Sequence, residues 1–193
     1  MKTDIILSGV GGQGILSIAA VIGEAAVSNG LYMKQAEVHG MSQRGGDVQS
    51  NLRISDSPIA SDLIPLGKAD LIISLEPMEA LRYLPYLAKN SWLVTNSTPF
   101  INIPNYPETE QVMAEIDKLP RKIVLDVDQI AKEVGSVRAA NMVMLGASTP
   151  FLGIDYAQIE AGVRRIFERK GEAIVSLNLS ALEAGRKVAE TLM

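Results

Sequence analysis

Asp4-Ile-Ile-Leu-Ser8, then Gly9-Val-Gly-Gly-Gln-Gly14, then Ile15-Leu-Ser-Ile-Ala-Ala-Val-Ile22 reads as strand, glycine turn and helix in direct succession. The first run is short and apolar, which suits a strand covered on both faces. Glycines in the turn let the chain bend tightly and let a ligand approach the backbone. The unpaired N–H groups at the start of the following helix attract an anion. Gly9, Gly11 and Gly14 match the spacing G-x-G-x-x-G in the strand-to-helix context that the motif needs, so a phosphate-bearing ligand is the first expectation. The same three glycines serve equally well if they only let helix and sheet pack closely.

Outward from this unit the alternation continues. The first helix is expected over 15 to 29, stopped by Asn29-Gly30, with strands at Leu31 to Val38, Val48 to Ile54 and Asp70 to Leu75. Pro77 suits the first turn of a helix carrying Met78, Leu81 and Leu84 on one side, with Leu87 a further candidate for that side. Trp92 to Thr95 and Lys122 to Asp126 read as later strands, and Pro99, Pro104 and Pro107 mark an irregular excursion between them. Ala139 to Ala147 is apolar apart from Asn141, which predicts a buried helix whose Asn finds either a structural or a ligand partner. Asp155 with Gln158, and Ser180 with Glu183, are capping-box patterns that predict two C-terminal helices packed on the sheet. The predicted class is α/β: a three-layer, Rossmann-like, mostly parallel sheet with helices on both faces and a helical C-terminal segment. One domain is expected over 1–193.

Composition narrows the function. The chain has 193 residues, 47% hydrophobic and 21% charged, with a formal net charge of −4. No basic stripe appears, so neither nucleic acid nor an anionic membrane is an expected partner. The most apolar stretch, 15 to 27, is too short to span a bilayer and contains Glu24, and Asp4 spoils a signal-peptide reading, so the expected location is cytoplasmic. The chain contains no cysteine, hence no thiolate nucleophile and no Cys-ligated zinc or iron–sulfur cluster of its own. His39 is the only histidine and no G-x-S-x-G elbow accompanies it, which makes independent hydrolytic chemistry a poor fit. No metal ligands are proposed.

The second constellation is Glu37-Val-His-Gly-Met-Ser-Gln-Arg-Gly-Gly46. In a doubly wound sheet this loop and the glycine turn share the carboxyl edge, so the two are expected to be neighbours. Glu37 falls near the spacing at which a dinucleotide site places a ribose-binding carboxylate, and this keeps an independent NAD-binding oxidoreductase as an alternative. Arg44 offers a planar cation for phosphate or carboxylate, or an ordinary ion pair, and Gly45-Gly46 can turn the chain into the next strand.

Together the glycine turn, the Glu37 to Gly46 segment and Asn141-Met-Val-Met-Leu-Gly146 resemble the gamma-type subunits of the 2-oxoacid:ferredoxin oxidoreductases over essentially the whole chain. The histidine-containing form of the second motif is typical of the beta subunit in the indolepyruvate branch of that family. The resemblance implies a non-redox subunit. Its larger partner would carry thiamine diphosphate with Mg2+ and the [4Fe-4S] clusters. The assembly would convert a 2-oxoacid, coenzyme A and oxidised ferredoxin to acyl-CoA, CO2 and reduced ferredoxin. An isolated chain is expected to be inactive and able to pair as a homodimer through the exposed junction. On this reading Gly9, Gly11, Gly12, Gln13 and Gly14 with Arg44 and Asn141 are the candidate binding set. The N–H groups of Gly11 to Gly14 and Arg44 would form an electropositive rim for coenzyme A phosphates or partner carboxylates. His39, Gln43 and Arg44 are candidates for contacts near the reaction centre.

Overall fold

The structure, a computed structural model, describes residues 1–39, 45–101 and 103–193. Among them are the strands β1 (Lys2–Val10), β2 (Tyr32–His39), β3 (Asp47–Ser55), β4 (Ala69–Ser74), β5 (Leu87–Asn96) and β6 (Lys122–Leu125). They form one sheet in the order β2-β3-β1-β4-β5-β6. The helices are α1 (Ile15–Ser28), α2 (Pro77–Tyr83), α3 (Thr109–Asp117), α4 (Val127–Val134), α5 (Ala140–Ser148), α6 (Tyr156–Phe167) and α7 (Glu172–Leu192).

β1, β4, β5 and β6 pair parallel in sequence, while β3 runs antiparallel to both β1 and β2. The sheet is therefore mostly parallel, as predicted, but the second strand does not lie beside the first. Parallel pairing needs a crossover of a dozen or more residues. The 40–46 connection is too short for one, so the chain returns as a hairpin and β3 inserts between β2 and β1.

Ile5 and Leu7 point to one face, where they join α1, α5 and the C-terminal helices in the larger core cluster. Ile6 points to the other, against Ala80 and Tyr83 of α2 and Val112 and Ile116 of α3. All three β1 side chains are fully buried, and each contributes about 2 kcal/mol by leaving water. The three-layer arrangement thus follows from an unbroken apolar strand with both faces covered.

The C-terminal helices sit one layer further out than expected: α6 packs mainly on α1, and α7 on α5 and α4. Glycines make those crossings close. A Cβ on Gly146 would lie 1.9 Å from the Leu182 carbonyl oxygen, and one on Gly185 would lie 1.9 Å from that of Val143. Neither predicted capping box forms. Asp155 occupies the N-cap of α6 without a side-chain bond: the Gln158 N–H donates to the Asp155 backbone carbonyl at 2.9 Å, and the Gln158 side chain, instead of reaching back, donates across the helix interface to Asn29 Oδ1 at 2.6 Å. Ser180 and Glu183 lie inside α7, a single helix from Glu172 to Leu192, where mid-helix N–H groups are already bonded and leave a cap nothing to do. Leu87 opens β5 rather than extending α2. The sequence reading passed over α3 and α4.

Candidate functional site

The glycine turn lies at the carboxyl edge of the sheet, where β1 hands over to α1. Its conformation depends on glycine: Gly14 adopts φ 89° and ψ 25° at the N-cap, and Gly12 has φ 106°. Gln13 faces inward. Its Oε1 accepts from the Val10 N–H at 2.7 Å and its Nε2 donates to the Leu75 carbonyl at 3.1 Å. The side chain therefore bridges the carboxyl ends of β1 and β4, the crevice in which a doubly wound sheet takes its ligand. Gly9 makes room for it, since a Cβ there would sit 2.7 Å from Gln13 Oε1.

The turn's N–H groups divide between internal and external use. Gly11 N–H donates to the Gly46 carbonyl at 2.8 Å and Gln13 N–H to that of Val10 at 3.1 Å, so these two are spent on the fold. Within the turn expected to form a rim, the Gly11 and Gln13 amides are thus engaged inside the chain. The N–H groups of Gly12, Gly14, Ile15 and Leu16 have no acceptor among the described residues. α1 also lacks a side-chain cap and any acidic residue in its first turn, leaving the positive end of its dipole unneutralised by the helix itself.

The two motifs are neighbours, as expected. Gly45 N–H reaches the Gly11 carbonyl at 3.4 Å while Gly11 bonds Gly46 in return. The cause is the β2–β3 hairpin rather than a crossover. Gln43 and Arg44, and the side chain of His39, lie outside the described residues.

A cleft opens on each side of the turn. The larger, of about 400 Å³, is lined by Val10, Gly11, Gly12, Gly14, Ile15, Leu16, Glu37 and Val48. The other, of about 300 Å³, is lined by Gly12, Gln13, Gly14 and Leu75 together with Asn96, Val127, Asp128, Val137, Arg138, Ala140 and Asn141. Asn141 stands at the first turn of α5, and its Nδ2 donates to the Gly14 carbonyl at 3.3 Å. It finds a structural partner that ties α5 to the turn and still lines the second cleft. Asn96, buried at the end of β5, accepts from the N–H groups of Thr98 and Val127 and donates to Asp128 at 3.3 Å. The sequence reading missed Asn96 and Asp128. The signal was available, because a polar residue closing an apolar strand marks the carboxyl edge.

A third element at this edge is the buried carboxylate of Glu76, just past the end of β4. Its Oε2 accepts from Glu79 N–H at 2.8 Å as the N-cap of α2, and its Oε1 accepts from Phe100 N–H at 3.3 Å and from the Tyr106 hydroxyl. The neighbouring Glu79 is 2% exposed and pairs with Arg82 Nε at 2.7 Å. Burial pushes its carboxyl above the ordinary value of 4.5, against the pull of Arg82 and with the repulsion of Asp47 and Glu76 adding to the rise. Burial, and the hydrogen bond to Glu76, likewise push the Tyr106 hydroxyl up.

Residues 4–188 match the pyruvate ferredoxin/flavodoxin oxidoreductase family, and the chain belongs to it. Among its relatives, the chain is 41% identical over 197 residues to the indolepyruvate oxidoreductase subunit IorB of Archaeoglobus fulgidus, covering 96% of this chain and 94% of that one. It is 26% identical over 185 residues to the ketoisovalerate oxidoreductase subunit VorA of Methanothermobacter thermautotrophicus, covering 95% of this chain but 35% of that one. The crystal structure of a keto/oxoacid ferredoxin oxidoreductase gamma subunit from Geobacter sulfurreducens superposes with a TM-score of 0.73 at 26% identity, covering 98% of this chain and 99% of the other. Among the described residues, no helix is long and apolar enough to cross a membrane.

Proposed function

We propose that this chain is the smaller, non-redox subunit of a cytoplasmic 2-oxoacid:ferredoxin oxidoreductase acting on indolepyruvate or a related aryl pyruvate. The observation that carries the reading is the near full-length 41% identity to an indolepyruvate oxidoreductase subunit. In the reaction one 2-oxoacid, one coenzyme A and two oxidised ferredoxins give acyl-CoA, CO2 and two reduced ferredoxins, with release of protons. The residues of this chain do not fit the redox groups of such an enzyme. The sequence has no cysteine to ligate a [4Fe-4S] cluster, and no group of three His, Cys, Asp or Glu among the described residues could hold a metal ion. Thiamine diphosphate, its Mg2+ and the clusters therefore belong, on this reading, to the larger subunit.

What this chain supplies is a rigid anion-facing edge. Gln13 locks the turn from inside, Asn141 holds it from α5, and the N–H groups of Gly12, Gly14, Ile15 and Leu16 face a coenzyme A phosphate or a partner carboxylate. Arg44, outside the described residues, is the cation proposed for that rim. The dinucleotide alternative fits less well. Gln13 bridges the ends of β1 and β4, and β3 separates Glu37's strand from the glycine strand by one strand spacing more than a ribose-binding carboxylate requires. Co-expression with the large subunit, followed by anaerobic assay of indolepyruvate- and CoA-dependent viologen reduction, tests the reading. Activity in the complex and in neither chain alone is the expected result. NAD binding by this chain, with no association, would overturn it.

A further inference from the structure

We propose that the cleft of about 300 Å³ between the glycine turn, α4 and α5 is a subsite for the phosphorylated ribose of coenzyme A. Arg138 and the Gly12 and Gly14 amides would hold the phosphate and Asp128 a sugar hydroxyl; this rests on the coenzyme A reading above. Gly12 and Gly14 lead into α1, Asn96 closes β5, Val127 and Asp128 open α4, and Ala140 and Asn141 open α5. The positive ends of three helix dipoles therefore meet around one space, which favours an anion there.

The side chains inside the cleft make it more than a meeting of helix ends. Asn96 is 2% exposed, and its Nδ2 donates once, to Asp128 Oδ2 at 3.3 Å. An amide nitrogen carries two hydrogens, so the second has no acceptor among the described residues. A donor left over on a buried side chain calls for a partner from outside the chain. Arg138 and Asp128 line the same cleft, yet they form no ion pair with each other or with any other described charge. A cation and a carboxylate held apart in this way suit a ligand with an anion at one end and a hydroxyl donor at the other.

The unspent groups define the chemistry. Those of Arg138, Asn96 and the Gly12 and Gly14 amides are all donors, which is what phosphate oxygens require. Asp128 has Oδ1 unspent, an acceptor for a sugar hydroxyl. Val137, 49% exposed on the cleft wall, offers an apolar surface to the attached base. The volume lies at the lower end of the range for small-molecule sites, so the cleft takes one end of the coenzyme rather than the whole.

Calorimetric titration of the reconstituted complex with adenosine 3′,5′-bisphosphate, which carries the phosphorylated ribose and no thiol, tests this. Arg138→Ala is expected to weaken binding by about tenfold or more. Arg169→Ala, at an exposed residue just past the end of α6, should leave it unchanged. Asp128→Asn should weaken the bisphosphate by about fivefold without weakening inorganic phosphate, a split that a loosened fold would not produce. Wild-type affinity in Arg138→Ala, or inorganic phosphate binding as tightly as the bisphosphate, overturns the subsite; continued turnover of indolepyruvate by the same complex leaves the subunit reading intact. Binding of adenosine 5′-monophosphate that coenzyme A does not displace would assign the cleft to a free nucleotide and overturn its coenzyme A role. A chain that forms no active complex with the large subunit sinks both readings.

Discussion

Gly12 of the first turn and the glycines of the α5–α7 crossing do opposite jobs. Gly12 is there for its backbone: φ is 106°, and an added Cβ would meet nothing within 4 Å. Gly146 and Gly185 have ordinary helical backbones and are there for their missing side chain, since each lets a helix carbonyl come within contact of the opposing Cα. At Gly12 the space beside the backbone stays open, whereas at the crossing the missing side chains let two helices touch. A substitution at Gly12 therefore tests the proposed binding role with little disturbance of the packing, and one at the crossing tests the fold.

The largest expected effect lies at the crossing. Gly146→Ala or Gly185→Ala drives a methyl into backbone that cannot swing aside, and should cost about 3 kcal/mol or more in urea denaturation. A loss under about 1 kcal/mol would mean that α7 shifts freely and the comparison fails. Gln13→Ala comes next. It strands the Val10 N–H and the Leu75 carbonyl, and a destabilisation of about 2 kcal/mol is expected, together with a higher apparent KM for coenzyme A as the turn loosens.

Gly12→Ala should cost only about 1 kcal/mol in stability, from the left-handed backbone alone. Because its methyl touches nothing in the chain, a loss of complex formation or of coenzyme A use beyond that small change would report a ligand or partner at the turn. Unaltered activity in the assembled enzyme would show that the turn packs and does not bind.

The smallest effect is a slope. Glu79 has its folded carboxyl raised above 4.5, so the folded chain binds this proton more readily than the unfolded one. Its contribution is intact below pH 4.5 and is lost as pH rises from there through the folded value. Glu79→Gln should flatten the fall in stability over that window, as read by thermal melts across pH. An unchanged slope would assign it to other groups.

Much of the carboxyl edge was legible because local signals and tertiary placement agreed. An apolar strand followed by glycines and an apolar helix admits few arrangements, and the strand-to-helix turn at Gly9 to Gly14 was readable without coordinates. Asn141 was singled out as a polar residue in an apolar run, and it does find a partner, the Gly14 carbonyl. Gln13 was legible as a member of the motif but not as an inward brace, because periodicity does not say which way a turn side chain points. Glu76 escaped notice altogether. An acidic residue before a proline reads as a surface helix start, and only the structure shows it buried and accepting from the Phe100 N–H and the Tyr106 hydroxyl.

By itself the sequence determined the α/β class, the glycine turn at the head of the first helix and the absence of thiolate chemistry, since each depends on residue type and on near neighbours along the chain. The tertiary structure alone decided that β3 lies between β2 and β1, that α7 is one unbroken helix packed on α5 through Gly146 and Gly185, and which amides of the turn find an acceptor among the described residues. Those outcomes depend on which distant backbone a group meets, and hydrogen bonds and steric contacts between residues far apart in sequence leave no periodic trace in it.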